Sequence, residues 1–122
     1  MDHSPGFLQL VNAAKKSVAE ISVADARAKI TADPKVVLLD VREDHEWAAG
    51  HAAGAVHLGK GILERDLEKL YPDAATEIIM YCGGGFRSAM TCDAAQKMGD
   101  KKVLSLIGGY KGLIAAGSPM IK

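Results

Sequence analysis

Short apolar runs and amphipathic segments alternate along most of the chain. Four runs are rich in β-branched and apolar residues and are bounded by turn-forming residues, which is typical of buried strands. Segments with the apolar spacing of helices separate these runs. The alternation predicts an α/β domain with a mainly parallel sheet and helices on both faces. The predicted strands are KVVLLD (35–40), GAVHL (54–58), TEIIMYC (76–82) and KVLSLIGG (102–109).

Helical periodicity opens the chain and returns after each predicted strand. A first helix is predicted from apolar residues spaced on one face between Phe7 and Val18. A second helix begins after Ser22, whose hydroxyl can cap it, with Asp25 three residues further on. The remaining helices are predicted in EDHEWAAG (43–50), GILERDLEKL (61–70), RSAMTCDAAQKMG (87–99) and YKGLIAAG (110–117).

Composition and charge restrict the class of protein. The chain has 122 residues, of which 48% are hydrophobic and 25% charged, as expected of one globular domain. Fifteen basic residues balance fifteen acidic ones, so neither a nucleic acid nor a membrane surface is indicated as a partner. The N-terminus lacks the features of a signal peptide. Two cysteines without a signal peptide favour a reducing compartment, so a cytoplasmic protein is expected.

The strongest chemical signal is the segment CGGGFRS (82–88), which follows a predicted buried strand and leads into a predicted helix. Ligands of open α/β sheets bind beyond the carboxyl ends of the strands. Consecutive glycines are costly to order, but their unhindered amides can converge on one point. The helix N-terminus directs its positive dipole end at the same point. Together with Arg87, this environment favours a nucleophilic thiolate at Cys82.

The Cys82 segment resembles the active loop of rhodanese-type sulfurtransferases, and two other segments extend the resemblance. LLDVREDHEWAAGHAAGAVHL (38–58) is similar to the family's Asp-Val-Arg, Glu and Gly-His-x-x-Gly-Ala signature. VLSLIGGYKGLIAAGSPMIK (103–122) is similar to its closing Gly-Gly segment and tail. The resemblance implies a rhodanese-like domain with a five-stranded sheet over residues 18–122. It leaves an N-terminal helical extension over residues 1–17.

The resemblance also implies an enzyme of the thiosulfate sulfurtransferase, or rhodanese, type. Cys82 would take the outer sulfur of thiosulfate, polysulfide or a persulfide, hold it as a persulfide, and pass it to a thiol or cyanide. No cofactor or metal is implied. The loop residues implied to bind the transferred sulfur are Gly83, Gly84, Gly85, Phe86, Arg87 and Ser88. The residues implied to support the loop from behind are Asp40, Arg42, Glu46 and His51.

The chain departs from the family pattern in its charges. Arg87 is the only charged residue of the loop, and Glu46 stands where two-domain thiosulfate enzymes carry a basic residue. A dianionic donor would find little complementary charge, so we expect weak saturation by thiosulfate and better use of polysulfide or persulfides. Arg42 and Glu46 are four residues apart in a predicted helical segment and are expected to form an ion pair.

Two functions other than a sulfurtransferase are possible for the Cys82 loop, and Cys92 has a structural interpretation. A loop with Cys82 and Arg87 can also hold phosphate, as in phosphatases and arsenate reductases of the same fold. The four residues between them are one fewer than in the related dual-specificity phosphatases, which favours sulfur. A persulfide carrier or binding module serving a partner protein remains open, because an acceptor surface has no sequence signature. Cys92 lies on a helix face with small residues and is interpreted as a core residue, not a resolving thiol.

Overall fold

The computed structural model describes residues 3–100 and 102–122, so residues 1 and 2 of the predicted extension, and residue 101, lie outside the described residues. Helices and strands alternate along the described chain. Their bounds are α1 Pro5–Lys15, β1 Ala19–Ile21, α2 Val23–Ala32, β2 Val37–Asp40, α3 Asp44–Ala49, β3 His51–Ala52, β4 Val56–His57, α4 Lys60–Leu70, β5 Ile78–Tyr81, α5 Phe86–Lys97, β6 Val103–Leu106, α6 Gly109–Ala115 and β7 Met120–Ile121.

A five-stranded sheet with the order β1-β6-β5-β2-β4 forms the centre of the fold. All of its neighbouring strands pair in parallel, so the carboxyl ends of the strands meet at one edge. The predicted fold class, a five-stranded and mainly parallel sheet with flanking helices, is confirmed. No helix in the described part of the chain is long and apolar enough to cross a membrane.

Two apolar cores lie on opposite faces of this sheet. Along β5, Ile78 and Met80 belong to one core, and Ile79 and Tyr81 belong to the other. This division follows from strand geometry, because successive side chains point to opposite faces. Residues of α4 and α5 complete the first core, and residues of α2 and α6 complete the second. Helix α1 packs on α5, on the same face as α4.

The segment after β6 lies against the segment after β5 at the carboxyl edge of the sheet. The amide of Tyr110 donates to the carbonyl of Cys82 over 2.7 Å, and the amide of Lys111 donates to that of Gly83 over 3.2 Å. Gly109 has a φ of +54°, and a Cβ there would lie 3.0 Å from the carbonyl carbon of Gly83. A side chain at this position would therefore push the two segments apart.

Several short elements differ from those that the sequence pattern predicts. Strand β1 pairs with β6 at the sheet edge, and β3 and β7 form a separate antiparallel pair; none of the three is predicted from the apolar runs. Helix α5 begins at Phe86, one residue before the predicted start, because Gly85 takes a left-handed conformation as its N-cap. Helix α1 ends before Val18, which instead packs against the first core. The division into an extension and a domain at residue 18 stays a prediction.

Candidate active site

Cys82 directly follows β5 and lies at the N-terminus of α5, with its side chain almost fully buried. Two amides donate to its Sγ atom, that of Gly85 over 3.2 Å and that of Ser88 over 3.4 Å. The left-handed backbone of Gly85, with a φ of +100°, turns the chain back over the sulfur so that both amides reach it. These donors and the dipole of α5 favour negative charge on this sulfur.

A pair of buried hydroxyl groups lies behind the sulfur. Ser88 Oγ is 3.7 Å from Cys82 Sγ and 2.8 Å from Ser105 Oγ, and both serines are fully buried. If Ser105 donates to Ser88, the Ser88 hydroxyl is free to donate to a thiolate. Sequence reasoning missed Ser105, because its position in β6 meets the loop only once the strand order is known.

Arg87 and Glu46 form a two-pronged ion pair beside the loop. Arg87 Nη1 donates to Glu46 Oε1 over 2.6 Å, and Arg87 Nη2 donates to Oε2 over 3.0 Å. The hydrogen bonds from Arg87 lower the pKa of Glu46 to about 2, and the same pairing raises the pKa of Arg87. The predicted ion pair between Arg42 and Glu46 is wrong, because Arg42 points away to Asp40 while Glu46 reaches across to α5.

Asp40 and Arg42 form a second ion pair, buried behind the loop. Arg42 Nη2 donates to Asp40 Oδ2 over 2.8 Å and to the carbonyl of Gly50 over 2.6 Å. The guanidinium also stacks 4.0 Å from the centre of the Tyr110 ring. Since the Tyr110 amide binds the carbonyl of Cys82, contacts run without a break from Asp40 to the loop. The role of Asp40 and Arg42 in supporting the loop stays a prediction.

His51, the fourth predicted support residue, packs against α3 and forms no hydrogen bond to the loop among the described residues, so its side chain acts on α3. Its ring stacks on Trp47 with centres 3.4 Å apart, and its Nδ1 lies 3.0 Å from the Trp47 carbonyl. His57 stacks on Trp47 as well, at 4.9 Å. The histidines thus fix α3, the helix that carries Glu46. In the described residues, no group of three or more His, Cys, Asp or Glu side chains could hold a metal ion.

The loop opens onto a cavity of about 470 Å³. Cys82, Gly83, Gly84, Phe86 and Arg87 contribute to its lining. Residues from three other parts of the chain complete it, and of these residues only Glu46 was among the predicted site residues. The lining residues outside the loop are His3, Phe7, Glu46, Gly108 and Lys111.

Cys92 lies in the first apolar core, one turn of α5 beyond Ser88, and is fully buried. Burial, with a smaller contribution from the charge of Cys82, raises the pKa of the Cys92 thiol to about 12. A thiol in this environment stays neutral and unreactive near neutral pH. The structure therefore agrees with the interpretation of Cys92 as a core residue.

A parallel α/β sheet with a cysteine loop at its carboxyl edge defines the class of protein, and comparison with known proteins gives the family. The Rhodanese-like domain model matches residues 22–116. The chain belongs to the rhodanese-like domain family. Helix α1 lies before the matched residues.

Two relatives from Bacillus subtilis (strain 168) carry sulfur-related names. The chain is 38% identical over 86 residues to "Putative sulfurtransferase YtwF", covering 70% of this chain and 82% of that protein. It is 34% identical over 95 residues to "Putative sulfur carrier protein YrkF", covering 78% of this chain and only 50% of YrkF. The chain therefore spans about half the length of YrkF.

A solved structure from Rhodopseudomonas palustris CGA009 matches nearly the whole chain. It is described as "Protein of Unknown Function RPA3614, Possible Tyrosine Phosphatase", and it superposes with a TM-score of 0.86 at 27% identity. The match covers 99% of this chain and 98% of the other. The similarity therefore includes helix α1 as well as the matched domain.

Proposed function

We propose that this protein is a sulfurtransferase whose Cys82 carries the transferred sulfur as a persulfide. One observation carries the proposal: Cys82 Sγ accepts hydrogen bonds from two amides at the N-terminus of α5, at the base of an open cavity. Such donors stabilise a thiolate before the reaction and an anionic terminal sulfur after it. The sulfur-related names of the relatives point to the same chemistry.

The proposed reaction has two steps, the loading of a sulfur atom onto Cys82 and its transfer to an acceptor. The Cys82 thiolate attacks the outer sulfur of a donor, a bond forms between the two sulfur atoms, and the electron pair of the broken bond leaves with the donor. A thiolate or cyanide then attacks that outer sulfur, and Cys82 departs as a thiolate. The amides of Gly85 and Ser88 stabilise the charge in both directions. Asp40, Arg42 and His51 act as positioning residues.

The ion pair beside the loop bears on the choice of donor. Two nitrogens of the Arg87 guanidinium donate to the Glu46 carboxylate. Glu46 therefore neutralises the positive charge that would otherwise attract a dianionic sulfur donor. Thiosulfate is a compact dianion, whereas an organic persulfide or organic polysulfide carries at most one negative charge on its sulfur chain. We therefore infer that the physiological donor is a persulfide or polysulfide, with thiosulfate a poor substitute.

Thiocyanate production from cyanide tests the function. The wild type is given thiosulfate, polysulfide or cysteine persulfide in separate reactions, and the rates are compared with those of Cys82→Ser. Cys92→Ser is the matched control, because it removes the other cysteine from the same helix–sheet unit. We expect turnover by the wild type and Cys92→Ser, and none by Cys82→Ser. Turnover that survives in Cys82→Ser would overturn the proposal.

A persulfide carrier for a partner protein is the second candidate, favoured by the name of the relative YrkF. Repeated turnover separates the two. An enzyme forms many equivalents of thiocyanate or mixed persulfide with small acceptors, whereas a dedicated carrier loads one sulfur and transfers it slowly to small acceptors.

Phosphatase activity is tested in parallel with p-nitrophenyl phosphate as substrate. We expect no hydrolysis of this substrate.

A further inference from the structure

An aromatic wall closes one side of the Cys82 cavity. It consists of His3 and Phe7, from the N-terminal segment, and Phe86 from the loop. The rings of His3 and Phe86 meet edge to face at 4.6 Å, those of Phe7 and Phe86 at 6.4 Å, and those of His3 and Phe7 at 5.2 Å. All three side chains line the cavity. Two of them lie before the residues that the family model matches.

The wall is held in place by the packing of α1. Ser4 caps this helix by accepting a hydrogen bond from the Phe7 amide over 3.3 Å. Val11 is fully buried further along the helix, which packs on α5. Lys15 Nζ lies 5.0 Å from the centre of the Phe86 ring, on which it can form a cation–π contact. The wall is therefore part of the folded structure.

Charges in the cavity are distributed unevenly around this wall. Arg87 and Glu46 neutralise each other. Lys111 lines the cavity and forms no ion pair with any described residue. The aromatic wall, the Lys111 ammonium group and the amides at Cys82 therefore surround the same space. A volume of about 470 Å³ lies in the range of sites that take organic ligands.

We propose that the aromatic wall makes this site selective for sulfur donors with an apolar organic group and a single negative charge, over small inorganic dianions. The inference rests on the proposed sulfurtransferase function and adds the class of donor. An organic thiosulfonate, R–SO₂–S⁻, serves as the probe. The Cys82 thiolate takes its outer sulfur to give Cys82–S–S⁻ and releases the sulfinate R–SO₂⁻, so atoms and charge balance. R lies against the wall, and the sulfonyl oxygens face Lys111.

The test compares kcat/KM for benzenethiosulfonate with kcat/KM for thiosulfate, with cyanide as acceptor. In Phe7→Ala we expect the ratio of the two values to fall about three- to tenfold, the scale of one aromatic contact. Leu10→Ala is the matched control, because Leu10 is on the same helix but is 61% exposed. Its ratio should equal that of the wild type.

A ratio in Phe7→Ala equal to the wild-type ratio would overturn the inference, whether the two kcat/KM values are unchanged or fall by the same factor. An equal fall with both donors would indicate a structural role of Phe7 alone. If Phe7→Ala does not fold, His3→Ala removes a ring of the wall from outside α1, and the same outcomes apply. Failure of the proposed function looks different. In that case the wild type forms no thiocyanate from either donor.

Discussion

Alanine substitution separates the roles of the glycines that follow Cys82, because a methyl group meets different surroundings at each. At Gly85, φ is +100° and a Cβ would lie 3.4 Å from both Gly108 N and Leu106 O. At Gly84, φ is outside the left-handed region and a Cβ would have no heavy atom within 4 Å. We predict that Gly85→Ala damages both fold and site, whereas Gly84→Ala leaves the fold intact.

The size of the effect at Gly85 follows from two contributions. A left-handed conformation costs an alanine about 1–2 kcal/mol, and strained positions reach about 3 kcal/mol. For a domain of this size, such a loss lowers the melting temperature by about 5–15 °C. The Gly85 amide also donates to Cys82 Sγ over 3.2 Å. Loss of a hydrogen bond to a charged group costs about 1.5–3 kcal/mol, so persulfide loading should slow by about 10- to 100-fold.

Differential scanning calorimetry measures the stability of each variant, and the rate of cyanide-labile sulfur formation measures loading. Gly84→Ala should melt at the wild-type temperature or slightly above it, because alanine restricts the unfolded chain, and its loading should fall less than that of Gly85→Ala. A Gly85→Ala variant with wild-type stability and loading would refute the reasoning. Equal losses of stability in the two variants would refute it as well.

Three further predictions concern other residues of the site. Cys92→Ser should keep its ability to load sulfur on Cys82 and lose about 1–3 kcal/mol of stability through the buried hydroxyl; a variant as inactive as Cys82→Ser would indicate a dithiol mechanism instead. The pKa of Glu46 is lowered in the folded state from 4.5 to about 2, so its ionised form contributes stability that is present above pH 4.5 and is lost as the pH falls toward 2. Urea unfolding at a series of pH values should show the wild type losing its advantage over Glu46→Gln in that range, and a difference that grows on acidification would contradict the ion pair. Ser105→Ala should slow sulfur loading by about two- to tenfold, the scale of one neutral hydrogen bond, with Ser105→Thr restoring it; equal rates in all three proteins would exclude a role for the hydroxyl pair.

The sequence predicts the fold class and singles out the loop after β5, because both signals are local. The apolar runs of β2 and β5 stand between turn residues, and the segment 82–88 combines cysteine, glycines and arginine without interruption. By contrast, β1 has three residues, two of them exposed, so its pairing comes from the neighbouring strand and leaves little trace in its own composition.

The parts of the site that were missed depend on contacts between distant segments. Arg87 and Glu46 are 41 residues apart, and helical spacing suggested the nearer partner, Arg42, which the buried Asp40 holds instead. The aromatic wall joins α1 to α5 across most of the chain and matches no motif. Such contacts are determined by the order of the strands and the packing of helices on them, which the apolar pattern does not specify.

The persulfide on Cys82 is tested most directly by mass spectrometry of the donor-treated protein. After treatment with polysulfide and digestion without reductant, the peptide that contains Cys82 should gain the mass of one sulfur atom, and the peptide that contains Cys92 should not. Cyanide should remove that mass and release one equivalent of thiocyanate, and Cys82→Ser should show neither change. If the Cys82 peptide gains no cyanide-labile sulfur, Cys82 does not carry the transferred sulfur and the proposed sulfurtransferase function is wrong.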